Sequence, residues 1–338
     1  MIVIDVEFFS SPIGLGHATR DIAVVNCFEN ISTNFVTGSS AAKILKSLDF
    51  KVKDVYKPPK FIVEDGSLKN SARWLWKYYQ YYKDCKKISN KIIEDDNPKL
   101  VVSDEDFAAL AVAQNKKIPT VLITDILETR FTKGFTSIIE KKMNKSMQKI
   151  IKNCDVVILP EDGPDEDNIR RVGPIVRQTK YTREELRKKF SFDKKTIVVT
   201  IGGTDAGLFL IEKVLEIFPK INEHEIVLVS GPSMSKSEKI RNLGFVNNLH
   251  EIIYAADVLV SLAGKSTIDE AREYGTPAIF IPINGHFEQE DNAKEEGFVF
   301  EDIDRLDELI LEKLGEKRNP LKRDGAQKAS NIIIDLLR

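Results

Sequence analysis

The sequence predicts an α/β protein with two parallel-sheet domains. Short runs of β-branched residues alternate with helical stretches almost from one end of the chain to the other, and this alternation is the pattern of βαβ units. Residues 198–201 and 278–281 are nearly continuous apolar runs, which is typical of strands that helices cover on both faces of a sheet. A chain of 338 residues is also long enough for about two domains.

Each half of the chain supplies its own strands and helices. The predicted strands, read from the short β-branched runs, are 2–8, 32–37, 100–103, 120–124, 155–159, 196–201, 225–229, 258–261 and 278–281. Helical periodicity between them predicts helices at 18–30, 41–48, 107–114, 208–218, 266–274 and 326–337.

A boundary between the domains is readable near residue 172. The acidic, turn-rich stretch 162–168 is followed by Val172-Gly173-Pro174-Ile175-Val176, and a basic helix is predicted near 182–190. We therefore expect a linker at about 172–180, an N-terminal domain over 1–172 and a C-terminal domain over 173–320.

The composition excludes several classes of protein. Hydrophobic residues make up 42% of the chain and charged residues 30%, as in ordinary globular proteins. A net charge of −2 argues against a nucleic-acid binder, which would carry a strong basic excess. The three cysteines are widely spaced and predict neither a disulfide framework nor a zinc site. The N-terminal apolar run is interrupted by acids and has no basic segment before it. We expect a cytoplasmic protein.

Three glycine turns at strand ends are the main functional signal. Gly14-Leu15-Gly16-His17 follows the first strand, and Gly202-Gly203-Thr204 follows the strand 196–201. Gly264-Lys265-Ser266-Thr267 opens a helix that carries Glu270. Glycines let a bulky ligand approach the backbone, and the N–H groups at a helix start suit a diphosphate. The sequence therefore predicts a nucleotide-sugar site in a cleft between the two domains.

These motifs, in this order, resemble those of the GT-B glycosyltransferases. Similar proteins are the N-acetylglucosaminyltransferase that builds the peptidoglycan lipid intermediate and the UDP-glycosyltransferases. The resemblance covers essentially the whole chain and is densest from Gly244 to Glu288-Gln289-Glu290-Asp291-Asn292-Ala293, which is close to the D-Q-x-x-N-A element. It implies two Rossmann-like domains facing across a cleft, with the acceptor domain first and the donor domain second. It also implies that a last helix over 321–338 packs back on the first domain.

The resemblance assigns roles in binding a UDP-sugar donor. It places the diphosphate at the second and third glycine turns, the ribose at Glu270, the uracil at Phe245 and Val246, and the sugar at Glu288, Gln289 and Asn292, with His286 close by. Other interpretations stay open. The turns can be tight turns without a ligand, Glu270 an ordinary first-turn glutamate, Phe245 a core residue and His286 a surface residue. The family does not require a lysine at position 265.

The resemblance also proposes a catalytic base. A histidine with an ordinary pKa near 6.5 can remove a proton from an attacking hydroxyl at neutral pH, and His17 is delivered to the mouth of the first turn. Asp104, after the strand 100–103, is expected to orient His17, with Asp125 as a second candidate. The alternatives are a hydrogen bond from His17 to substrate without proton transfer, and a helix-capping role for Asp104. Arg20 either faces the cleft or pairs with a neighbouring acid.

The reaction implied is inverting and metal-independent transfer of a sugar, such as an N-acetylhexosamine, from a UDP-sugar to a hydroxyl. Asp104-Glu105-Asp106 reads as the metal-binding D-x-D of another fold and is discounted, so no obligatory metal or cofactor is expected. The Gly14–Asp21 motif, which reads G-L-G-H-x-x-R-D, and the Gly202–Asp205 motif also resemble those of the UDP-sugar hydrolase of pseudaminic acid biosynthesis, which uses water. A non-catalytic nucleotide-sugar binder is the third reading. The donor-sugar element 288–293 favours transfer.

The acceptor is a glycan, a lipid-linked sugar or a small molecule. Residues 74–82 are rich in tryptophan and tyrosine, with lysines among and after them, which is typical of helices at an anionic membrane surface. The same pattern fits a helix that packs its aromatic side chains inward and extends its lysines into solvent. The basic amphipathic stretch 138–152 allows the same two readings. A peripheral contact with the inner face of the membrane is therefore one of two expectations.

Overall fold

The computed structural model describes residues 4–132, 137–203, 205–229 and 240–338. The chain forms two compact units. The first contains residues 1–60, 70–176 and 323–338, and the second contains residues 61–69 and 177–322. Among the described residues, no helix is both long and apolar enough to cross a membrane.

The first unit is built on a parallel sheet with the strand order β3-β2-β1-β6-β7-β8-β9. Its central strands are fully buried, which explains why they contain almost continuous apolar residues. The strands are β1 (Val6–Ser10), β2 (Thr33–Thr37), β3 (Val52–Asp54), β6 (Leu100–Asp104), β7 (Thr120–Ile123), β8 (Val156–Leu159) and β9 (Ile169–Arg171).

Helices alternate with the strands of this unit, and one more comes from the end of the chain. The helices are α1 (Gly16–Val25), α2 (Ser39–Lys46), α3 (Ser71–Asp96), α4 (Phe107–Asn115), α5 (Ser137–Lys152) and the C-terminal α12 (Gly325–Asp335). Helix α12 lies against α1, and the Ser330 hydroxyl donates a hydrogen bond to the Cys27 carbonyl at 3.4 Å. The C-terminal segment thus belongs to the first unit.

The second unit has its own parallel sheet, with the order β12-β11-β10-β13-β14. The strands are β10 (Thr196–Thr200), β11 (Glu225–Val229), β12 (Arg241–Asn242), β13 (Val258–Leu262) and β14 (Ala278–Ile281). Short 3-10 helices occur at Asp205–Gly207 and Phe300–Arg305. The α-helices are α6 (Arg183–Phe190), α7 (Leu208–Ile221), α8 (Leu249–Ala255), α9 (Lys265–Tyr274), α10 (Phe287–Glu295) and α11 (Leu306–Lys313).

A short hairpin from the N-terminal half of the sequence also belongs to the second unit. It consists of β4 (Ile62–Glu64) and β5 (Ser67–Lys69), which pair in an antiparallel way. Val63 and Leu68 pack against the apolar core of this unit. The sequence-based division, which assigned all of 1–172 to the first domain, does not hold for these residues, because it follows chain order and not packing.

The fold class predicted from the sequence is confirmed, with two parallel-sheet α/β units. Every predicted strand forms, and its limits shift by a few residues at most except at the N-terminus, where β1 begins at Val6. Because the strands of each sheet are parallel, their carboxyl ends lie along one edge. Strands β1 and β6 are neighbours, as are β10 and β13. The loops that carry the predicted site residues therefore lie side by side within each unit.

Candidate active site and donor site

His17 and Asp104 form a hydrogen-bonded pair at the carboxyl edge of the first sheet. His17 lies in the first turn of α1, and Asp104 is the last residue of the neighbouring strand β6. The Nδ1 atom of His17 is 2.8 Å from Oδ1 of Asp104, and the carboxylate is fully buried. When the imidazole is neutral, this contact places the proton on Nδ1 and leaves Nε2 as the acceptor. The structure therefore brings together the two residues that the sequence predicted as catalytic.

The helix-capping role left open for Asp104 belongs instead to Asp106. Oδ1 of Asp106 accepts hydrogen bonds from the backbone N–H groups of Ala108 and Ala109 at 2.9 and 3.2 Å. The two ends of the D-x-D sequence thus have different tasks. Within the described residues, no cluster of three or more histidine, cysteine or acidic side chains could hold a metal ion.

Arg20, one turn after His17 on α1, fixes the Asp104 carboxylate. Its Nε donates to Oδ2 at 2.7 Å and its Nη2 donates to Oδ1 at 2.6 Å, which is the bidentate geometry of strong arginine–carboxylate pairs. Its Nη1 lies 3.4 Å from Oδ2 of Asp125. Burial raises the pKa of Asp104, but the charges and hydrogen bonds of Arg20 and His17 outweigh it and lower the pKa overall. Asp104 is therefore ionised at neutral pH.

The sequence analysis assumed an ordinary pKa near 6.5 for His17, and the charges around the residue raise this pKa. Burial lowers the pKa of His17, but the negative charges of Glu105 and Asp104 outweigh burial and raise the pKa to about 9. Oε2 of Glu105 is 3.8 Å from Nε2 of His17, on the side of the ring opposite Asp104. The ordinary value near 6.5 does not apply here, so the unliganded His17 is mostly protonated at pH 7. The sequence analysis did not count Glu105 among the site residues, because it considered Glu105 only as part of a metal motif.

A second buried aspartate, Asp21, belongs to this cluster. Asp21 on α1 is fully buried and hydrogen-bonded to the Ser10 hydroxyl at the end of β1. Burial and the nearby Asp104 charge raise the pKa of Asp21 well above its usual range. The ionised form of Asp21 is therefore disfavoured beside Asp104.

The first glycine turn has a backbone conformation that favours glycine and leaves open space beside Gly14. Gly14 has φ = +87°, which disfavours other residues, and no described atom lies within 4 Å of the place where a Cβ would stand. Gly16 is the first residue of α1. A ligand could approach the backbone closely at this turn.

Two glycine turns lie side by side in the second unit. Gly202, with φ = +73°, follows β10, and Gly264 is the N-cap of α9 after the neighbouring strand β13. At both positions no described atom lies within 4 Å of a Cβ. Gly203 lies in the first of these turns, and Ser266 and Thr267 lie half-buried in the first turn of α9. Thr204, which the sequence also predicted, lies outside the described residues.

The Lys265 ammonium pairs with Asp269 one turn further along α9. Asp269 is buried, so this contact holds the lysine beside its own helix. Lys265 thus already has a carboxylate partner at the turn that was predicted to receive the diphosphate.

Glu270 forms a buried ion pair with Arg177, a residue that the sequence analysis missed. The Nε and Nη2 atoms of Arg177 donate to Oε1 of Glu270 at 3.1 and 2.9 Å. Nη1 of Arg177 donates to the carbonyl of Asn247 at 2.7 Å. Burial raises the pKa of Glu270 despite the opposing charge of Arg177. Glu270 is therefore a buried residue that an arginine holds in place, and its contact with a ribose stays a prediction.

Arg177 links the helix predicted to hold the ribose with the segment predicted to hold the uracil. Asn247 directly follows Phe245 and Val246, which are both half-buried, and Val246 packs against the apolar core. An arginine within the predicted linker was the only signal in the sequence, and its partner lies 93 residues away. Such a pairing cannot be read from spacing.

In the segment predicted to bind the donor sugar, the side-chain amides of Gln289 and Asn292 form hydrogen bonds with the protein backbone. Oε1 of Gln289 accepts from the Ile283 N–H at 3.1 Å. Nδ2 of Asn292 donates to the Ala263 carbonyl at 3.1 Å, and Glu288 lies half-buried in the first turn of α10. Because Ala263 precedes Gly264, α10 is fixed beside the turn that opens α9.

His286 is buried, so its reading as a surface-loop residue is wrong. It is the N-cap residue of α10, and its ring lies edge-on to Phe61 at 5.2 Å between centroids. Burial lowers the pKa of His286 to about 4. At neutral pH it can therefore offer a hydrogen bond but not a positive charge.

Several known proteins are similar to this chain. Residues 196–331 match the family described as Glycosyltransferase family 28 C-terminal domain. An uncharacterized glycosyltransferase of Methanopyrus kandleri is 28% identical over 226 residues, which are 60% of this chain and 62% of that protein. The UDP-N-acetylglucosamine--N-acetylmuramyl-(pentapeptide) pyrophosphoryl-undecaprenol N-acetylglucosamine transferase of Aquifex aeolicus is 26% identical over 290 residues, 78% of each chain.

The chain resembles a GT-B glycosyltransferase. Among solved structures, the glycosyltransferase SnogD from Streptomyces nogalater matches with a TM-score of 0.60 and 17% identity, covering 98% of this chain and 99% of that one. The UDP-GlcNAc 2-epimerase of Neisseria meningitidis, bound to UDP-GlcNAc, matches with a TM-score of 0.64 and 15% identity over 99% of both chains. At such identities the likeness shows the fold, which transferases and epimerases share.

The resemblance predicted from the sequence is thus confirmed. The relatives that match are named as glycosyltransferases, in agreement with the predicted enzyme class. The match to the Methanopyrus protein extends over less than two thirds of that relative's length.

Proposed function

We propose that the protein is an inverting, metal-independent glycosyltransferase that moves a sugar from a UDP-sugar to a hydroxyl acceptor. The observation that carries this proposal is the His17–Asp104 pair, in which a buried, ionised carboxylate aligns an imidazole whose Nε2 can face substrate. The ordered motifs of the second unit and the match over 196–331 support a nucleotide-sugar donor.

The proposed mechanism uses the neutral form of His17. Its Nδ1–H donates to Asp104, and Nε2 accepts the proton of the acceptor hydroxyl. The acceptor oxygen forms a bond to the anomeric carbon through an oxocarbenium-like transition state. The bond between that carbon and the diphosphate oxygen breaks, and UDP leaves with the electron pair on the opposite face. Attack opposite the leaving group inverts the anomeric configuration. Asp104 stabilises the imidazolium that forms.

The donor is proposed to bind through backbone and buried polar groups of the second unit. The turns at Gly202–Gly203 and Gly264–Thr267 would receive the diphosphate, since helix and loop N–H groups neutralise phosphate charge. Glu270, oriented by Arg177, would accept hydrogen bonds from the ribose. The Aquifex relative uses UDP-N-acetylglucosamine by its name, which supports a uridine donor and an N-acetylhexosamine as the sugar.

We also propose a lipid-linked acceptor at the inner face of the membrane, because the name of the Aquifex relative includes such an acceptor. The Aquifex relative acts on a pyrophosphoryl-undecaprenol. In the first unit, Ile138 and Ile139 are 64% and 55% exposed at the start of the lysine-rich helix α5, and Trp76 on α3 is 58% exposed. Most other aromatic side chains of α3 pack inward, for example Trp74 on Tyr78. Exposed apolar side chains beside lysines suit an anionic lipid surface.

A UDP-sugar hydrolase is the second candidate, and one distance favours it. Nε2 of His17 and Oε2 of Glu105 are 3.8 Å apart. When His17 is neutral, both atoms are acceptors, and a water molecule has two protons to donate to them whereas an alcohol has one.

The release of UDP from UDP-N-acetylglucosamine, measured with and without a polyprenyl-pyrophosphoryl sugar, tests the proposal. Acceptor-dependent UDP release together with a glycosylated lipid is expected. UDP release with an equal amount of free sugar, independent of acceptor, would establish the hydrolase. Binding of UDP-sugar without any turnover under either condition would leave a nucleotide-sugar binder and contradict both enzymes.

A further inference from the structure

Glu105 is held in a backbone conformation that glutamate rarely adopts. It directly follows Asp104 at the end of β6 and has φ = +60°. Non-glycine residues in this left-handed region are uncommon and cluster at functional sites, where the surrounding structure enforces them. The Glu105 N–H donates to the Ile123 carbonyl at 3.3 Å, which keeps the backbone at this edge of the sheet.

Two hydrogen bonds hold Oε1 of the Glu105 side chain in place. Oε1 accepts from the Thr124 hydroxyl at 3.0 Å and from the Asp125 N–H at 3.4 Å. Oε2 lies 3.8 Å from Nε2 of His17, and the side chain is only 12% exposed. The left-handed backbone and the two hydrogen bonds therefore direct one carboxylate oxygen toward the reactive nitrogen of the imidazole.

The charged groups around His17 other than Glu105 do not by themselves account for the raised pKa of His17. Arg20 opposes protonation of His17, and its guanidinium is shared between Asp104 and Asp125. Burial and the charge of Asp104 raise the pKa of Asp21, which disfavours its ionised form. Asp104 contacts only the Nδ1 side. Glu105 is the carboxylate on the Nε2 side, and a partly buried charge within about 4–6 Å shifts a pKa by about 1–3 units.

We propose that Glu105 is a positioning residue that stabilises the proton on the Nε2 side of His17 and thereby sets the pH range in which His17 can accept a proton from substrate. This inference rests on the proposed function, in which His17 is the base. The raised pKa of His17 agrees with it, because the negative charge of Glu105 is the largest single cause that raises this pKa. In the free enzyme near pH 7, the base form of His17 is then a minority, and activity rises as the pH approaches 9.

The test uses Glu105→Gln, which keeps an Oε1 acceptor for Thr124 and Asp125 but removes the charge. The chain has four histidines, and burial lowers the pKa of His250 to about 3 and of His286 to about 4. Imidazole NMR titration between pH 5 and 10 is carried out in a His224→Gln background, so that the resonances of His17 are assigned without overlap. The expected result is a His17 midpoint near 9 in the parent and at least about one unit lower in Glu105→Gln.

Two further variants keep the result interpretable. Glu105→Gly removes the same charge while adopting φ = +60° without strain, so it should fold and show the same lowered midpoint. Glu94→Gln removes an exposed carboxylate that pairs with Lys116, and it should leave the His17 midpoint unchanged. A midpoint that stays near 9 in both Glu105 variants would overturn the proposal. So would a parent enzyme whose His17 titrates near 6.5.

The pH profile of activity distinguishes this inference from the proposed function. If His17 is the base, the acidic limb of kcat/KM should shift downward by the same amount as the NMR midpoint in Glu105→Gln, with a higher rate at pH 7. A shifted NMR midpoint with no change in the pH profile would confirm the coupling and contradict the role of His17 as the base. An unshifted midpoint with normal turnover would retain the enzyme and remove Glu105 from this role.

Discussion

At the scale of single residues, the candidate active site depends on how charges are distributed around one imidazole. Arg20 balances the negative charge of Asp104 and orients its carboxylate through two short hydrogen bonds. Asp104 in turn orients His17. The sequence suggested the pair of His17 and Asp104. It did not suggest the bidentate pairing of Arg20 with Asp104 or the position of the Glu105 carboxylate near His17. Those contacts depend on which side chains the parallel strands bring to one edge, and residue spacing does not reveal this.

His17→Ala should lower kcat by about 10²–10⁴, because proton removal by a positioned base contributes about that much. UDP affinity should be largely retained, since the proposed donor site uses other residues. Steady-state UDP release and calorimetric titration with UDP measure the two quantities. His224→Ala, a change in the second unit outside the proposed site, is the control and should keep full activity. Full turnover in His17→Ala would remove His17 from the role of base.

Glu270→Gln should weaken UDP binding by about 1–3 kcal/mol, because the ribose would lose a charged hydrogen-bond acceptor. Glutamine keeps one oxygen for Arg177, so the protein should still fold, whereas Glu270→Ala would leave Arg177 buried without its carboxylate. Isothermal titration with UDP is the measurement. Glu216→Gln, which affects only a surface pair with Lys213, should bind UDP normally. Undiminished affinity in Glu270→Gln would show that the ribose lies elsewhere.

At the scale of elements, the β4–β5 hairpin is the feature that the sequence concealed. Its strands have three residues each and mixed exposure, so they lack the alternating pattern that identifies a strand. The hairpin forms backbone hydrogen bonds with Asn284, where the Leu68 N–H donates at 2.8 Å and the Gly66 carbonyl accepts at 2.9 Å. It thereby supports the loop that leads to His286 and α10. Long, strongly apolar strands such as β10 and β13 were predictable because burial on both faces requires such sequences.

Gly66→Val should reduce the affinity for a UDP-sugar more than the affinity for UDP. Gly66 has φ = +71°, and a Cβ there would stand 2.5 Å from the Phe300 ring, so a larger side chain displaces the hairpin from the sugar segment. Competitive binding of UDP-N-acetylglucosamine and UDP measures the ratio. Gly297→Ala, with φ = +82° and no described atom within 4 Å of a Cβ, controls for backbone strain. An unchanged ratio in Gly66→Val would show that the hairpin does not support sugar binding.

At the scale of the whole molecule, the chain contributes to the second unit twice, through residues 61–69 and 177–322. The two-unit α/β organisation was predictable from chain length and from the alternation of strands and helices. The exact membership of each unit was not, because tertiary contacts decide where short segments pack.

The triple variant Trp76→Ser, Ile138→Ser, Ile139→Ser should bind anionic vesicles more weakly than the parent protein. These three side chains are the proposed apolar contacts, and the lysines of α5 would supply the electrostatic attraction. Sedimentation with vesicles of phosphatidylglycerol and phosphatidylcholine is the measurement, and binding should fall as salt increases. Leu311→Ser, which changes an exposed apolar position in the second unit, is the control. Equal sedimentation of parent and triple variant would contradict peripheral membrane attachment through these residues.

The central claim is that the second unit binds a uridine nucleotide, and thermal unfolding with a panel of ligands tests it most directly. A ligand at a hundred times its dissociation constant stabilises the folded state by about 2.7 kcal/mol, which corresponds to several degrees. We predict a selective rise in melting temperature with UDP and UDP-N-acetylglucosamine, and none with GDP, ADP or NAD. A rise with GDP or ADP instead, or no rise with any uridine ligand, would contradict the account.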